Sequence, residues 1–121
     1  MRYMLLIYNN EKDSAQVAEG DRGKMMGEYM AFTDGIRASG HYRAGDPLTP
    51  TASATSVRIR GGKLQITDGP FADTREQLGG YYIVDAKDLD EAIAIAQKIP
   101  GARTGTVEVR AIAQMPAAAT V

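Results

Sequence analysis

The chain has 121 residues, with 14 Lys and Arg against 15 Asp and Glu, for a formal charge of −1. That length predicts one domain, and the near-neutral balance gives no long-range pull toward phosphate backbones or acidic membranes. There is no cysteine, which excludes disulfides, thiolate nucleophiles and cysteine-type zinc sites.

Residues 2–8 are apolar on both strand faces, with Tyr3, Leu5 and Ile7 on one and Met4, Leu6 and Tyr8 on the other. This predicts a strand covered on both sides. The run is too short for a signal-peptide core or a membrane span, so a cytoplasmic location is expected. Residues 9–20 read as polar loop. From about Asp21 to Ser39, the positions Met25, Met26, Tyr29, Met30, Phe32, Thr33 and Ile36 form one stripe on a helix, and Gly40 is a natural stop. A strand from His41 to Asp46 leads into a Pro/Thr/Ser loop over 47–56. The next stretch, SVRIR-GG-KLQIT, is a hairpin with a two-residue Gly-Gly turn. It pairs Ile59 with Leu64 and Val57 with Ile66 on one face, while Arg58, Arg60, Lys63 and Gln65 point the other way. A strand from Gly80 to Val84 follows. Asp88 and Glu91 form a capping-box pattern at the start of a second helix, with a stripe of Leu89, Ala92, Ile93, Ala96 and Ile99. Pro100-Gly101 ends it. The last strand is Thr106 to Ile112, and PAAATV after Met115 is expected to be a loose tail, leaving residues 1–115 as the single domain.

Without the hairpin, this order is βαββαβ, the ferredoxin-like split βαβ pattern of an α+β fold. Both helices then pack on one sheet face. The other face needs a cover, and a second copy of the chain is the simplest one, so a homodimer is expected.

The densest stretch is TDGPFADTREQLGGYY, residues 67–82. Asp68-Gly-Pro is strong turn chemistry. The usual backbone partner of such an Asp lies two residues on, and here that residue is Pro70, which has no N–H. The Asp68 carboxylate is therefore expected either to reach the N–H of Phe71 or to face a cleft. Asp73-Thr-Arg-Glu76 is a capping-box pattern and predicts a capped helical turn ending at Gly79. Arg75 is either solvated or a planar donor fork for a carboxylate ligand. Tyr81 and Tyr82 must point to opposite faces. One is expected under a helix and the other on the second face, where its hydroxyl needs a partner. Glu108 and Arg110 share a strand face, as a surface ion pair or as a polar feature of a sheltered cavity. The single histidine, His41, either interacts with a helix C-terminus or forms an acid–base dyad with Asp68 or Asp46. No GxGxxG or GxxxxGK[ST] motif is present, there is no histidine pair for a metal, and the aromatic pattern of RNA-binding βαββαβ domains is missing. No cofactor, nucleic acid or membrane partner is expected.

DGPFADTRE at 68–76, followed by QLGGYY, resembles the DGPF (DGPFAETKE) group of YCII-related proteins, with Asp73 in place of the usual Glu and Arg75 in place of the usual Lys. MRYMLLIY at the start, AFTDGIRASG at 31–40, DLDEAIAIAQKIP at 88–100 and GTVEVRAI at 105–112 carry the same resemblance. It implies a ferredoxin-like dimeric α+β barrel with a cleft between or beside the sheets. A His–Asp active site has been proposed for YCII-related proteins, but here the only histidine follows the first helix and none stands at its start. The association of DGPF genes with those of extracytoplasmic-function sigma factors implies a regulatory setting. Two functions are therefore carried forward. The first is a small-molecule site near the DGPF loop with cofactor-independent acid–base chemistry. Asp68 and His41 are its catalytic candidates, and Arg75, Tyr81, Glu108 and Arg110 its ligand-binding ones. The second is a non-catalytic module with a sigma-factor-linked regulatory partner.

Overall fold

A computed structural model describes residues 1–115; residues 116–121, where the loose tail is expected, lie outside the described residues. In chain order the elements are β1 (Arg2–Asn9), α1 (Glu11–Ala15), α2 (Glu19–Ala38), β2 (Tyr42–Pro47), β3 (Thr55–Arg60), β4 (Lys63–Asp68), β5 (Gln77–Asp85), α3 (Leu89–Ala96) and β6 (Thr106–Ala111), with short 3₁₀ turns at Thr51–Ser53 and Pro100–Arg103. Four strands form one sheet in the order β2-β5-β1-β6, antiparallel at every step. The pair β3-β4 forms a separate two-stranded sheet. The fold is mixed α+β with antiparallel sheets. No helix of the described residues is long and apolar enough to cross a membrane.

The core lies between the four-stranded sheet and the two longer helices. Alternation along the central strands sends Tyr3, Leu5 and Ile7 of β1, and Tyr82 and Val84 of β5, to this side. They meet Phe32 and Ile36 of α2, Ala92, Ile95 and Ala96 of α3, and Ile99 beyond it. Leu5, Val84 and Ile99 are fully enclosed. Tyr82 stacks edge-on against Phe32, with ring centroids 5.1 Å apart. Its hydroxyl lies 2.7 Å from Thr33 Oγ1, whose own proton goes to the Tyr29 carbonyl, so Tyr82 is the donor. Gly45 on β2 leaves room for this ring: a Cβ there would come within 2.6 Å of Tyr82 Cδ1.

Several local expectations are corrected. The stretch before α2 is not all loop, because Asn10 caps α1 by accepting the N–H groups of Lys12 and Asp13. The stripe on α2 is narrower than its methionines suggest. Phe32 and Ile36 are buried and Met25 and Tyr29 half-buried, while Met26 and Met30 face solvent. These four inward positions follow steps of three and four residues, and Met26 and Met30 lie one residue off that line. On α3, Ile95 is buried, whereas Leu89 and Ile93 are largely exposed. Asp88 caps α3 by accepting the Glu91 N–H at 2.9 Å. The Glu91 carboxylate reaches the N–H of Lys87 rather than that of the cap, so the box closes one residue early. The predicted helical turn over 73–79 is absent. Thr74 Oγ1 donates to the Glu76 carbonyl and the Gln77 side chain donates to the Thr74 carbonyl, and this local knot feeds straight into β5, which starts at Gln77.

Leu5 and Met30 set the contrast between packed and exposed positions. Leu5→Ala should cost about 2–5 kcal/mol, as buried large-to-small changes do, and Met30→Ala should stay within about 0.5 kcal/mol. Urea denaturation of both variants measures this, and equal losses would contradict the placement of the core.

Candidate functional site

The same alternation that fills the core leaves a second sheet face. Met4, Leu6 and Tyr8 of β1, and Tyr81, Ile83 and Asp85 of β5, point away from the helices and are only half-buried. The register sets them in rows across the sheet. One row reads Asp46, Tyr81, Leu6, Glu108, and the next Ala44, Ile83, Met4, Arg110. The face therefore has an apolar centre with charged groups at both margins. Asp46 and Glu108 lie three strand spacings apart, about 14 Å.

The Tyr81 hydroxyl donates to Asp46 Oδ2 at 2.9 Å. This bond, and then the Asp46 charge, push the Tyr81 phenol above its ordinary pKa, because the hydrogen bond stabilises the neutral form. Tyr81 therefore keeps its hydroxyl proton through the neutral range, directed at the Asp46 carboxylate. At the other margin Tyr8 is also raised, first by burial and then by the Glu108 charge, with Arg110 opposing. Arg110 Nε lies 3.6 Å from Glu108 Oε2. That pair is open to solvent and adds little to stability; its consequence is the charge pattern on the face. Arg43 and Asp85 form a further ion pair near the β2 margin.

The remaining sequence candidates fall elsewhere. Asp68 ends β4 opposite Thr55, is exposed, and its carboxylate has no hydrogen bond among the described residues; of the two placements expected for it, the bond to the Phe71 N–H is not made. The loop after it is held from the backbone. Gly69 has φ +96°, its N–H goes to the Ala54 carbonyl, and its own carbonyl accepts from Ser56 Oγ. Alternation puts Thr67, not Asp68, on the polar side of the hairpin. There a shallow cup of about 220 Å³ is lined by Ser56, Arg58, Gln65, Thr67, Pro70 and Phe71. Arg75 borders a wider open cleft of about 590 Å³ at the end of the sheet, shared with Glu11, Lys12, Thr51 and Gln77. The Glu11 carboxylate there already accepts from the Thr51 N–H and hydroxyl.

His41 is not paired with Asp46 or Asp68. Its Nδ1 lies 2.6 Å from Ser39 Oγ and its Nε2 3.2 Å from Glu91 Oε1, so it links the end of α2 to the start of α3. The series Ser–His–Glu resembles a hydrolytic triad only in composition. Ser39 Oγ also donates to the Ile36 carbonyl, at a helix C-terminus, where the dipole disfavours a developing oxyanion. His41 acts here as a fastener between helices.

The structure thus brings Tyr81, Glu108 and Arg110 to one face and leaves Asp68, Arg75 and His41 off it. Asp46 and Tyr8 complete that face and were missed as a set. Their neighbours follow only from strand register, which places Asp46 beside Tyr81 although 35 residues separate them. Removing the Asp46 carboxylate with Asp46→Ala should lower the Tyr81 titration toward that of an ordinary phenol. Ultraviolet phenolate titration, with Tyr81→Phe to assign the signal, reads this, and an unmoved Tyr81 titration would contradict the pairing.

Two comparisons show what the chain as a whole is similar to. The chain matches the model of the YCII-related domain over residues 1–116. It is 34% identical over 115 residues to the uncharacterized protein R00369 of Rhizobium meliloti (strain 1021), covering 93% of each chain. A family match over nearly the whole length, with a relative similar from end to end, shows that this chain belongs to the YCII-related domain family.

Proposed function

We propose that the protein binds a small organic molecule on the open face of its four-stranded sheet. The observation that carries this is the row Asp46, Tyr81, Leu6, Glu108: a hydrogen-bonded donor–base pair and a second carboxylate, separated by an apolar centre. Ligand sites are commonly built this way, from apolar walls with a few placed polar groups. The chemistry that fits is cofactor-independent acid–base work on a polar, partly apolar ligand. The Tyr81 hydroxyl, whose one proton goes to Asp46, offers its lone pairs to a ligand N–H or O–H. It can donate to a ligand oxygen only by giving up Asp46, which is then free to accept a proton or a ligand N–H or O–H. Arg110 offers a charge to an anionic group at the far margin. Asp68, with its carboxylate unengaged among the described residues, is a second candidate base, placed on the hairpin rather than on the sheet.

A second copy of the chain covers the face in this reading. The strand order β2-β5-β1-β6 supports a ferredoxin-like sheet of the kind that pairs into a dimeric barrel, and the string DGPFADTRE supports a place in the DGPF group of the family. A cytoplasmic setting belongs to the same reading.

The test is a thermal-shift or native mass spectrometry screen of the intact chain against a metabolite library, repeated on Asp46→Ala, Tyr81→Phe and Asp68→Asn. Loss of a charge-assisted hydrogen bond is worth about 1.5–3 kcal/mol. The first two variants should therefore bind a hit tenfold or more weakly, and Asp68→Asn should change binding least. A hit bound equally well by Asp46→Ala and Tyr81→Phe would move the site off this face.

A further inference from the structure

The hairpin shows an anomaly that the site does not absorb. Gly61 and Gly62, with φ +57° and +75°, make the tight turn, and the register places Val57 opposite Ile66 and Ile59 opposite Leu64 on one face. All four side chains are 61–66% exposed. Among the described residues, neither strand makes more than isolated contacts with any element but the other. A lone two-stranded hairpin is marginal in water, and its unpaired outer edges invite association. Single exposed aliphatics need no explanation, but four in a two-by-two block do. They present on the order of 400 Å² of contiguous apolar surface, within the range of the largest patch on a typical monomer, a patch that is often functional.

We infer that this hairpin is an arm that grips a second copy of the chain, with Val57, Ile59, Leu64 and Ile66 buried against the body of the partner. Two observations choose this occupant. The first is charge. Residues 55–68 carry Arg58, Arg60 and Lys63 against Asp68, a net of +2, while the rest of the chain, with 11 cations and 14 acids, carries −3. The three cations lie on the face away from the apolar block, so this charge steers an arm toward the body of another copy and away from the other arm rather than making the contact itself. The second is area. In a twofold dimer each arm covers an equal patch of its partner, so two arms together remove roughly 1,600 Å², the standard size of a specific interface. The inference rests on the homodimer of the preceding reading but not on its ligand site. Loss of ligand binding in Asp46→Ala with the dimer intact leaves it standing.

Sedimentation velocity over a dilution series tests it, with Ile59→Asp/Leu64→Asp compared to wild type and folding checked by circular dichroism. The expected result is a wild-type dimer and a folded double variant whose association is at least 100-fold weaker. A wild-type chain that stays monomeric at high micromolar concentration overturns both the arm and the dimer. A dimer of unchanged strength in the double variant overturns the arm alone. Because the chain has no cysteine, Ile59→Cys gives a second readout that survives a misfolded Asp variant. Its thiol should react slowly at concentrations where the dimer persists and quickly on dilution. Equal rates in both conditions, or a ready disulfide between the two Ile59→Cys arms, would overturn burial against the partner's body.

Discussion

The structure depends on a mismatch between the sheet and the helices available to cover it. A strand presents two faces, and β1 is apolar on both, with Tyr3, Leu5 and Ile7 on one and Met4, Leu6 and Tyr8 on the other. The chain supplies two longer helices, and both pack on the first face. Burying an aliphatic or aromatic side chain is worth about 1.5–3 kcal/mol, so the first face accounts for the fold. The second has the composition of a surface meant to be covered, with half-buried Met4, Leu6 and Ile83 at its centre. Its polar groups are paired, Tyr81 to Asp46 and Glu108 to Arg110, so a ligand or partner arriving there meets oriented donors and acceptors.

The DGPF stretch takes on a different role in this light. Its residues anchor the connection between the hairpin and β5. Gly69 supplies the positive φ and two backbone bonds at the root of the hairpin, and Glu76 accepts from the Thr106 hydroxyl on β6. The loop thus ties the end of β4 to the start of β3 and, through Glu76, to edge strand β6 of the large sheet. The hydrogen bonds described around this string are structural ones, while the hydrogen-bonded pair Tyr81 and Asp46 lies on the four-stranded sheet.

Much of the architecture was legible in the sequence, because it depends on short-range signals. The Gly-Gly turn set the hairpin register, Asp88 set the start of α3, and period-two alternation separated Tyr81 from Tyr82. The expectation that the outward tyrosine needs a hydroxyl partner is met by Asp46. What escaped had two physical causes. Capping patterns are local permissions, and at Asp73 the extended pairing of Gln77 with Asn9 on β1 won over a helical turn. Partnerships across the sheet, such as Asp46 with Tyr81, or between helices, such as His41 with Glu91, depend on register and packing, which no local pattern encodes. The hairpin's apolar face was visible as a pattern, but its isolation from the body became visible only in three dimensions.

We propose the open sheet face as the working surface of the protein. Hydroxyl-radical footprinting of the chain, with and without a bound metabolite, tests it most directly. The account predicts that Met4, Tyr8 and Tyr81 lose oxidation when the ligand binds, while solvent-facing Met30 on α2 keeps it. Unchanged oxidation at Met4, Tyr8 and Tyr81 in the bound state, with protection appearing elsewhere, would contradict it.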